Sequence, residues 1–316
     1  MPPSPVTGLH HVTAISGPAQ QNVDFYNGLL GLRFVKKTVN FDDPGTYHLY
    51  YADGDARPGS FLTFFPWADS IPGRIGPGQA TVTAYAVPVG AVDMWLARFA
   101  DEGIDFGSPA ERFGQRVLSF RAPDGLALEL IEAPAASGGW ENGPIPLNAA
   151  LGAFHSVTLC TFDPDVTARL LTEVMGYDET GQDGGRLRFE NAATERAAVV
   201  DLVCPPGIDR GRMGTGTVHH VAFRVPDDEA QVEARALLLD AGLQPTPVID
   251  RQYFHSIYFR EPGGVLFEIA TDPPGFALDE PADRLGHDLK LPPQHEPLRP
   301  QIEQRLAPLT IPRPDG

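Results

Sequence analysis

The chain has 316 residues, 42% hydrophobic and 21% charged, which excludes a disordered or fibrous protein and leaves room for two ordinary domains or four small modules. No apolar run approaches the ~20 residues of a membrane span. A net charge of −17 opposes nucleic-acid or anionic-membrane partners, where Lys and Arg must neutralise phosphates. Two cysteines, Cys160 and Cys204, are too few for a disulfide framework. Both lie in apolar, strand-like stretches (HSVTLCTF and AAVVDLVC) and read as buried, reduced thiols. MPPSPVTGLHHV has neither a basic n-region nor an apolar h-region, so the expected location is the cytoplasm.

A first module begins near Gly8 with the strand LHHVTAIS, followed by the helical periodicity of AQQNVDFYNGLLGL and by short strands that include FLTFFPW. A second begins near Gly78, with helix VDMWLARFADEG and a strand carrying Glu129. A third begins near Gly152 with HSVTL and helix DVTARLLTEVMGY; a fourth begins near Gly216 with VHHVAFRV and helix DEAQVEARALLLDAG. The rhythm is βαβββ, four times over. It is also a duplication. HHVTA from His10 falls on HSVTL from His155, and Gly31-Leu32 falls on Gly176-Tyr177. Val87-Pro88 falls on Val225-Pro226, and Glu129 on Glu268. The predicted fold is α+β, with one pair of βαβββ modules in residues 1–145 and another in 146–272. From 273 to 316 a Pro-rich extension is expected to run over the surface in extended form, with IEQRL adding a helical turn.

Four of the nine histidines form two doublets, His10-His11 and His219-His220, each opening a strand. Side chains alternate across a strand, so one imidazole of each doublet should face the cup that the curved sheets of paired modules close around. Glu268 sits in the apolar strand GGVLFEIATD, where a carboxylate is costly to bury unless it is paired or binds a metal. Two imidazoles and one carboxylate with open coordination positions suit non-haem Fe(II).

With GLHHVTAIS, GTVHHVAF, DRQYFHSIYFREPGGVLFEIATD and the tail GFALDEPADRLGHDLKLPPQHEPLRPQIEQRLAPL, the chain resembles the vicinal-oxygen-chelate superfamily, and within it the hydroquinone 1,2-dioxygenase type of ring-cleaving enzyme. The resemblance spans almost the whole chain. It implies a glyoxalase- or extradiol-dioxygenase-like fold and an enzyme that cleaves the ring of a small hydroquinone- or catechol-type substrate with O2. A homo-oligomer is compatible with it. It selects His11, His220 and Glu268 as ligands of Fe(II), with Mn(II) as a substitute, and places His10, His219, Arg251 and Tyr258 around the substrate. Strict alternation would turn His10 and His219 away from the cup, unless a bulge or a module boundary intervenes. Thr13, on the face of His11, is expected in the pocket wall. The duplication sets His11 against Ser156 and His220 against Val82, so modules two and three keep only Glu129, and one site per chain is expected. A glyoxalase-like isomerase or thiol transferase typically carries a fourth protein ligand, often a second Glu, and FLTFFPW offers only Thr63 and Phe64. A non-catalytic small-molecule-binding protein would need no histidine doublets. His48, His155, His255, His287 and His295 are given no role.

Overall fold

Short apolar segments bounded by glycine and proline turns become strands in the computed structural model, which describes residues 3–134, 136 and 138–312. Module one supplies β1 (Leu9–Ser16), β2 (Arg33–Asn40), β3 (Asp43–Ala52) and β4 (Phe61–Pro66); module two supplies β5 (Gln79–Val87), β6 (Ala110–Arg112), β7 (Gln115–Arg121) and β8 (Ala127–Glu132). Module three supplies β9 (Phe154–Cys160), β10 (Asp178–Asp183), β11 (Arg186–Glu190) and β12 (Val199–Val203). Module four supplies β13 (Thr217–Val225), β14 (Ile249–Asp250), β15 (Phe254–Arg260) and β16 (Leu266–Pro274).

The strands form two eight-stranded, curled sheets, in the orders β14-β15-β16-β13-β1-β4-β3-β2 and β10-β11-β12-β9-β5-β8-β7-β6. Module one therefore shares a sheet with module four, and module two with module three. Each sheet takes one module from either side of residue 145. The first strands of the paired modules, β1 with β13 and β5 with β9, run antiparallel at the sheet centres.

The helices follow the first strand of each module. In module one α1 (Ala19–Val23) runs into a π-helical turn at Asp24–Leu29. The others are α2 (Val92–Asp101), α3 (Pro164–Glu173) and α4 (Asp228–Asp240). Asp163 and Asp227 cap α3 and α4 by accepting from the amides of Asp165 and Ala230, which satisfies donors that the first turn leaves open. One large core takes Val12, Phe64 and Phe223 from the first sheet, Tyr85 and Phe154 from the second, and Trp95 of α2. That core leaves the other face of each sheet free for a cup. Cys160 is buried, but Cys204 lies just past the end of β12 and is exposed, contrary to the expectation for that residue. Alternation ends with the strand, so apolar neighbours no longer dictate burial there.

The C-terminal extension does more than cover the surface. Its Phe276, Leu285, Leu291, Ile302 and Leu306 are buried, and α5 (Arg299–Arg305) closes it. Phe276 packs on Tyr50, Phe61 and Tyr253 at ring-centroid distances of 5.0, 4.5 and 5.0 Å. Lys36 of β2, 0% exposed, fixes the extension by donating to Asp279 at 2.6 Å and Glu280 at 2.5 Å. Glu280 also accepts from the amides of Gly286 and Asp288. Removing one member of such a buried set leaves charge uncompensated, at a cost of roughly 3–5 kcal/mol. Lys36→Ala is thus expected to lower stability by about that amount in chemical denaturation. An unchanged midpoint would show that the extension is held by its apolar contacts alone.

Candidate metal centre

The central strand pair of the first sheet is irregular where it matters. Between β1 and β13, Leu9 pairs with Phe223 and His11 with Ala222, so His10 is the extra residue of a bulge. Thr13 pairs with His220 and Ala14 with Val218, so His219 is the extra residue of a second. A bulge breaks the period of two and re-aims a side chain. Both imidazoles of each doublet therefore reach the same region, which strict alternation forbids.

The Nδ1 atoms of His10 and His11 lie 2.8 Å apart, as do those of His219 and His220. If His11 and His220 direct Nε2 lone pairs to a cation, their protons sit on Nδ1 and are donated to His10 and His219. Such a partner fixes the tautomer and the ring of a metal-ligating histidine. Burial first, and then the neighbouring imidazole, push His219 down to about 3 and His10 well below its ordinary value, so both are neutral acceptors.

The Nε2 atoms of His11 and His220 are 3.2 Å apart, and Glu268 Oε2 lies 3.3 Å from the first and 2.9 Å from the second. Oε2 is buried and makes no hydrogen bond, although both imidazoles are within ionic distance. Oε1 accepts from Ser256 Oγ. Burial alone would raise the Glu268 pKa; positive charge beside it, on the imidazoles when they are protonated or on a cation in that place, holds it well below the carboxylate range. A buried carboxylate oxygen facing two imidazole nitrogens without a hydrogen bond to either fits a cation. Bonds of ~2.1 Å at right angles put donor atoms about 3 Å apart, the spacing of this triangle. Among the described residues these three are the group that could hold a metal ion.

His11 and His220 open onto a cavity of about 310 Å³, at the lower end of the range for small-ligand sites. Phe41, Phe65, Trp67 and Phe254 give it an aromatic wall, and His219, Arg251 and Tyr258 also line it. Arg251 donates through Nε to the Tyr258 hydroxyl at 3.2 Å and pairs through Nη1 with Asp42 at 3.3 Å. Burial, then the Glu268 charge, raises the Tyr258 pKa and keeps the phenol protonated. His10 and Thr13 do not line the cavity. Thr13 is fully buried behind it and hydrogen-bonds Thr63 Oγ1 at 2.8 Å. His48 and Tyr50, to which the sequence reading gave no part, do line it. The signal lay in H-L-Y at 48–50, which occupies in module one the place of S-I-Y at 256–258 in module four.

The second sheet repeats the frame without the imidazoles. His155 is the bulged residue between β5 and β9, and its Nδ1 faces Ser156 Oγ at 3.1 Å, as His10 faces His11. Glu129 accepts from Ser119 at 3.1 Å and from Arg112, which supplies the positive charge.

The chain belongs to the Glyoxalase/Bleomycin resistance protein/Dioxygenase superfamily, which matches residues 8–130 and 153–269. This is the vicinal-oxygen-chelate group that the motifs resemble. Within it the chain is similar to a Bacillus subtilis (strain 168) protein named as ring-cleaving dioxygenase MhqO, 48% identical over 305 residues that cover 96% of this chain and 97% of that one. It is also similar to a chlorohydroquinone/hydroquinone 1,2-dioxygenase of Sphingobium indicum, 35% identical over 311 residues, covering 95% and 96% of the two chains. A crystal structure described as a dioxygenase from Bacillus subtilis superposes with a TM-score of 0.94 at 47% identity, covering 98% of this chain and 99% of that one. Glyoxalase I from Zea mays, at 16% identity and a TM-score of 0.61 over 84% of this chain and 92% of its own, shares the fold.

Ser256 makes a testable contribution. Ser256→Ala removes the donor to Glu268 Oε1 and is expected to weaken metal affinity roughly 10- to 100-fold, as loss of an outer partner of a ligand does. Competition with a chelator reads this directly, and an unchanged affinity would mean that Ser256 only packs.

Proposed function

We propose that this enzyme is an Fe(II)-dependent dioxygenase that opens the aromatic ring of hydroquinone- or catechol-type substrates with O2, and that His11, His220 and Glu268 hold the iron, with Mn(II) as a substitute. The observation that carries the reading is the triangle of donor atoms with its unbonded carboxylate oxygen, opening onto an aromatic-walled cavity. Bound there, Fe(II) supplies the Lewis acidity that ionises a phenol and the electron-transfer chemistry that O2 needs.

The protein's own groups divide the remaining work. Phe41, Phe65, Trp67 and Phe254 bind a flat apolar ring and exclude water, which strengthens every polar contact inside. Tyr258, protonated and backed by Arg251, donates its hydroxyl proton to oxygen on the substrate as negative charge develops. Because His219 Nδ1 accepts from His220, its own proton rests on Nε2, which makes it a second neutral donor in the wall. His10 acts one step back, through the tautomer of His11.

The relatives named as ring-cleaving dioxygenases support this reading, and one is named for chlorohydroquinone and hydroquinone. Thr63 supports it over the isomerase and transferase alternatives. On β4 it pairs with Thr13 of β1 as Glu268 on β16 pairs with Ala222 of β13, so the symmetry-related place of a fourth ligand holds a hydroxyl already bonded to His48 and Thr13. A cytoplasmic location and the division into units 1–145, 146–272 and 273–316 belong to the same proposal.

Replacing His11, His220 or Glu268 with Ala is expected to abolish bound iron and oxygen uptake in a folded protein. Glu129→Ala, in the second cup, is expected to leave iron content unchanged. Full iron occupancy in any of the first three variants would overturn the ligand assignment. Tyr258→Phe is expected to retain iron and to slow oxygen consumption on hydroquinones and catechols by roughly ten- to a thousandfold, the effect of one lost preorganised donor. Turnover at the parent rate would reduce Tyr258 to packing.

A further inference from the structure

The first sheet has an internal symmetry that reaches beyond the triad. On β13 and β16, Ala222 pairs with Glu268; on β1 and β4, Thr13 pairs with Thr63. Across the next ladder Tyr258 pairs with Glu268 on one side, and Tyr50 pairs with Thr63 on the other. Ser256, two residues before Tyr258, donates to Glu268, whereas His48, two residues before Tyr50, bonds Thr63 through Nε2 at 2.9 Å. Tyr50 therefore stands to the triad as Tyr258 does, from the opposite half of the sheet, and both tyrosines line the cavity. Each is backed by a nitrogen: Tyr258 by Arg251 Nε, which donates to it at 3.2 Å, and Tyr50 by His48 Nδ1 at 2.8 Å.

We propose that Tyr50, positioned by His48, forms a second oxygen-binding subsite that holds the ring hydroxyl of a diphenol lying away from the His11–His220–Glu268 triad. This rests on the functional reading above and adds the half of the substrate that the triad does not address.

The chemistry of the supporting chain is what suits it to that task. Tyr50 OH, His48, Thr63 and Thr13 are joined in series at 2.8, 2.9 and 2.8 Å. Each hydroxyl can donate or accept, and a neutral imidazole has one nitrogen of each kind. Burial keeps His48 well below its ordinary value and Tyr50 well above its own, so the series carries no net charge. In one direction Tyr50 donates to His48 and can only accept from a ligand. In the other, His48 Nδ1–H donates to Tyr50, and the phenol proton is free for a ligand oxygen. The subsite can thus accept from a hydroxyl, or donate to the same oxygen as it becomes a carbonyl or an anion. No ion need be buried. His48 is held in place for this by ring contacts to Tyr50 and Phe65, with centroids at 4.1 and 4.4 Å. A purely structural Thr–Thr–His–Tyr series would have no reason to end on the cavity wall.

The test compares two ligands of similar shape, hydroquinone and 4-methylphenol, titrated without oxygen into Fe(II)-loaded enzyme. The parent is expected to bind hydroquinone more tightly. Tyr50→Phe should weaken hydroquinone roughly tenfold, the loss of one hydrogen bond, and leave 4-methylphenol and iron content unchanged. Thr63→Val and His48→Ala, acting through Tyr50, should move hydroquinone in the same direction. His48→Gln, which keeps a donor and an acceptor, should restore part of the loss. Equal shifts for both ligands, or none, would overturn the subsite. Oxygen uptake on the same parent preparation separates the two claims. Uptake without ligand discrimination removes the subsite alone, whereas discrimination without uptake on any diphenol removes the dioxygenase reading and leaves the subsite standing.

Discussion

A buried carboxylate organises this protein. Glu268 is 0% exposed on a strand between apolar neighbours, and an ionised group in such a place must meet positive charge or lose its proton. The two sheets answer the same demand differently. In the second, Glu129 takes a guanidinium from Arg112 and is finished. In the first, Glu268 Oε2 faces two imidazole nitrogens and is left without a hydrogen bond. The remaining parts of the first cup orient those three atoms or shape the space above them.

Orientation comes from the backbone first. Bulges at His10 and His219 spend one residue each to bring both members of a doublet to one side, and set the doublet partner where it can accept the Nδ1 proton of His11 or His220. Ser256 holds the other carboxylate oxygen. The space above is closed by aromatic rings, and the C-terminal extension supports two of them. Phe276 packs on Tyr50 and lies 6.3 Å from Phe254, whose ring contacts His10 and His11 at 5.3 and 5.1 Å. Because Lys36 ties the extension to β2, a tail distant in sequence comes to support the wall around the site from behind.

Much of this was legible in the sequence, and what was not has physical causes. The modules, the doublets and Glu268 stand out because they are local: a period, a dipeptide, a charge in an apolar strand. Which modules share a sheet is a matter of long-range pairing, and the offset of 145 between duplicated units points to relatedness, not to contact. Alternation turned His10 and His219 away, since a bulge leaves no mark in composition. Thr13 lies on the face of His11 but one layer deeper, because Thr63 and His48 stand in front of it. His48 and Tyr50 bear no mark of function in the sequence, because a histidine and a tyrosine on a strand are ordinary until the symmetry of the sheet matches them to Ser256 and Tyr258. The extension reads as Pro-rich and polar, yet a few apolar residues and one buried lysine suffice to dock it.

The central claim is that the first cup, and not the second, is a metal centre built by His11, His220 and Glu268. Anomalous diffraction at the iron edge, from crystals of Fe(II)-loaded protein grown without oxygen, tests it most directly. One peak per chain is expected, about 2.1 Å from His11 Nε2, His220 Nε2 and Glu268 Oε2. A peak beside Glu129, or iron bound elsewhere with the triad empty, would contradict it.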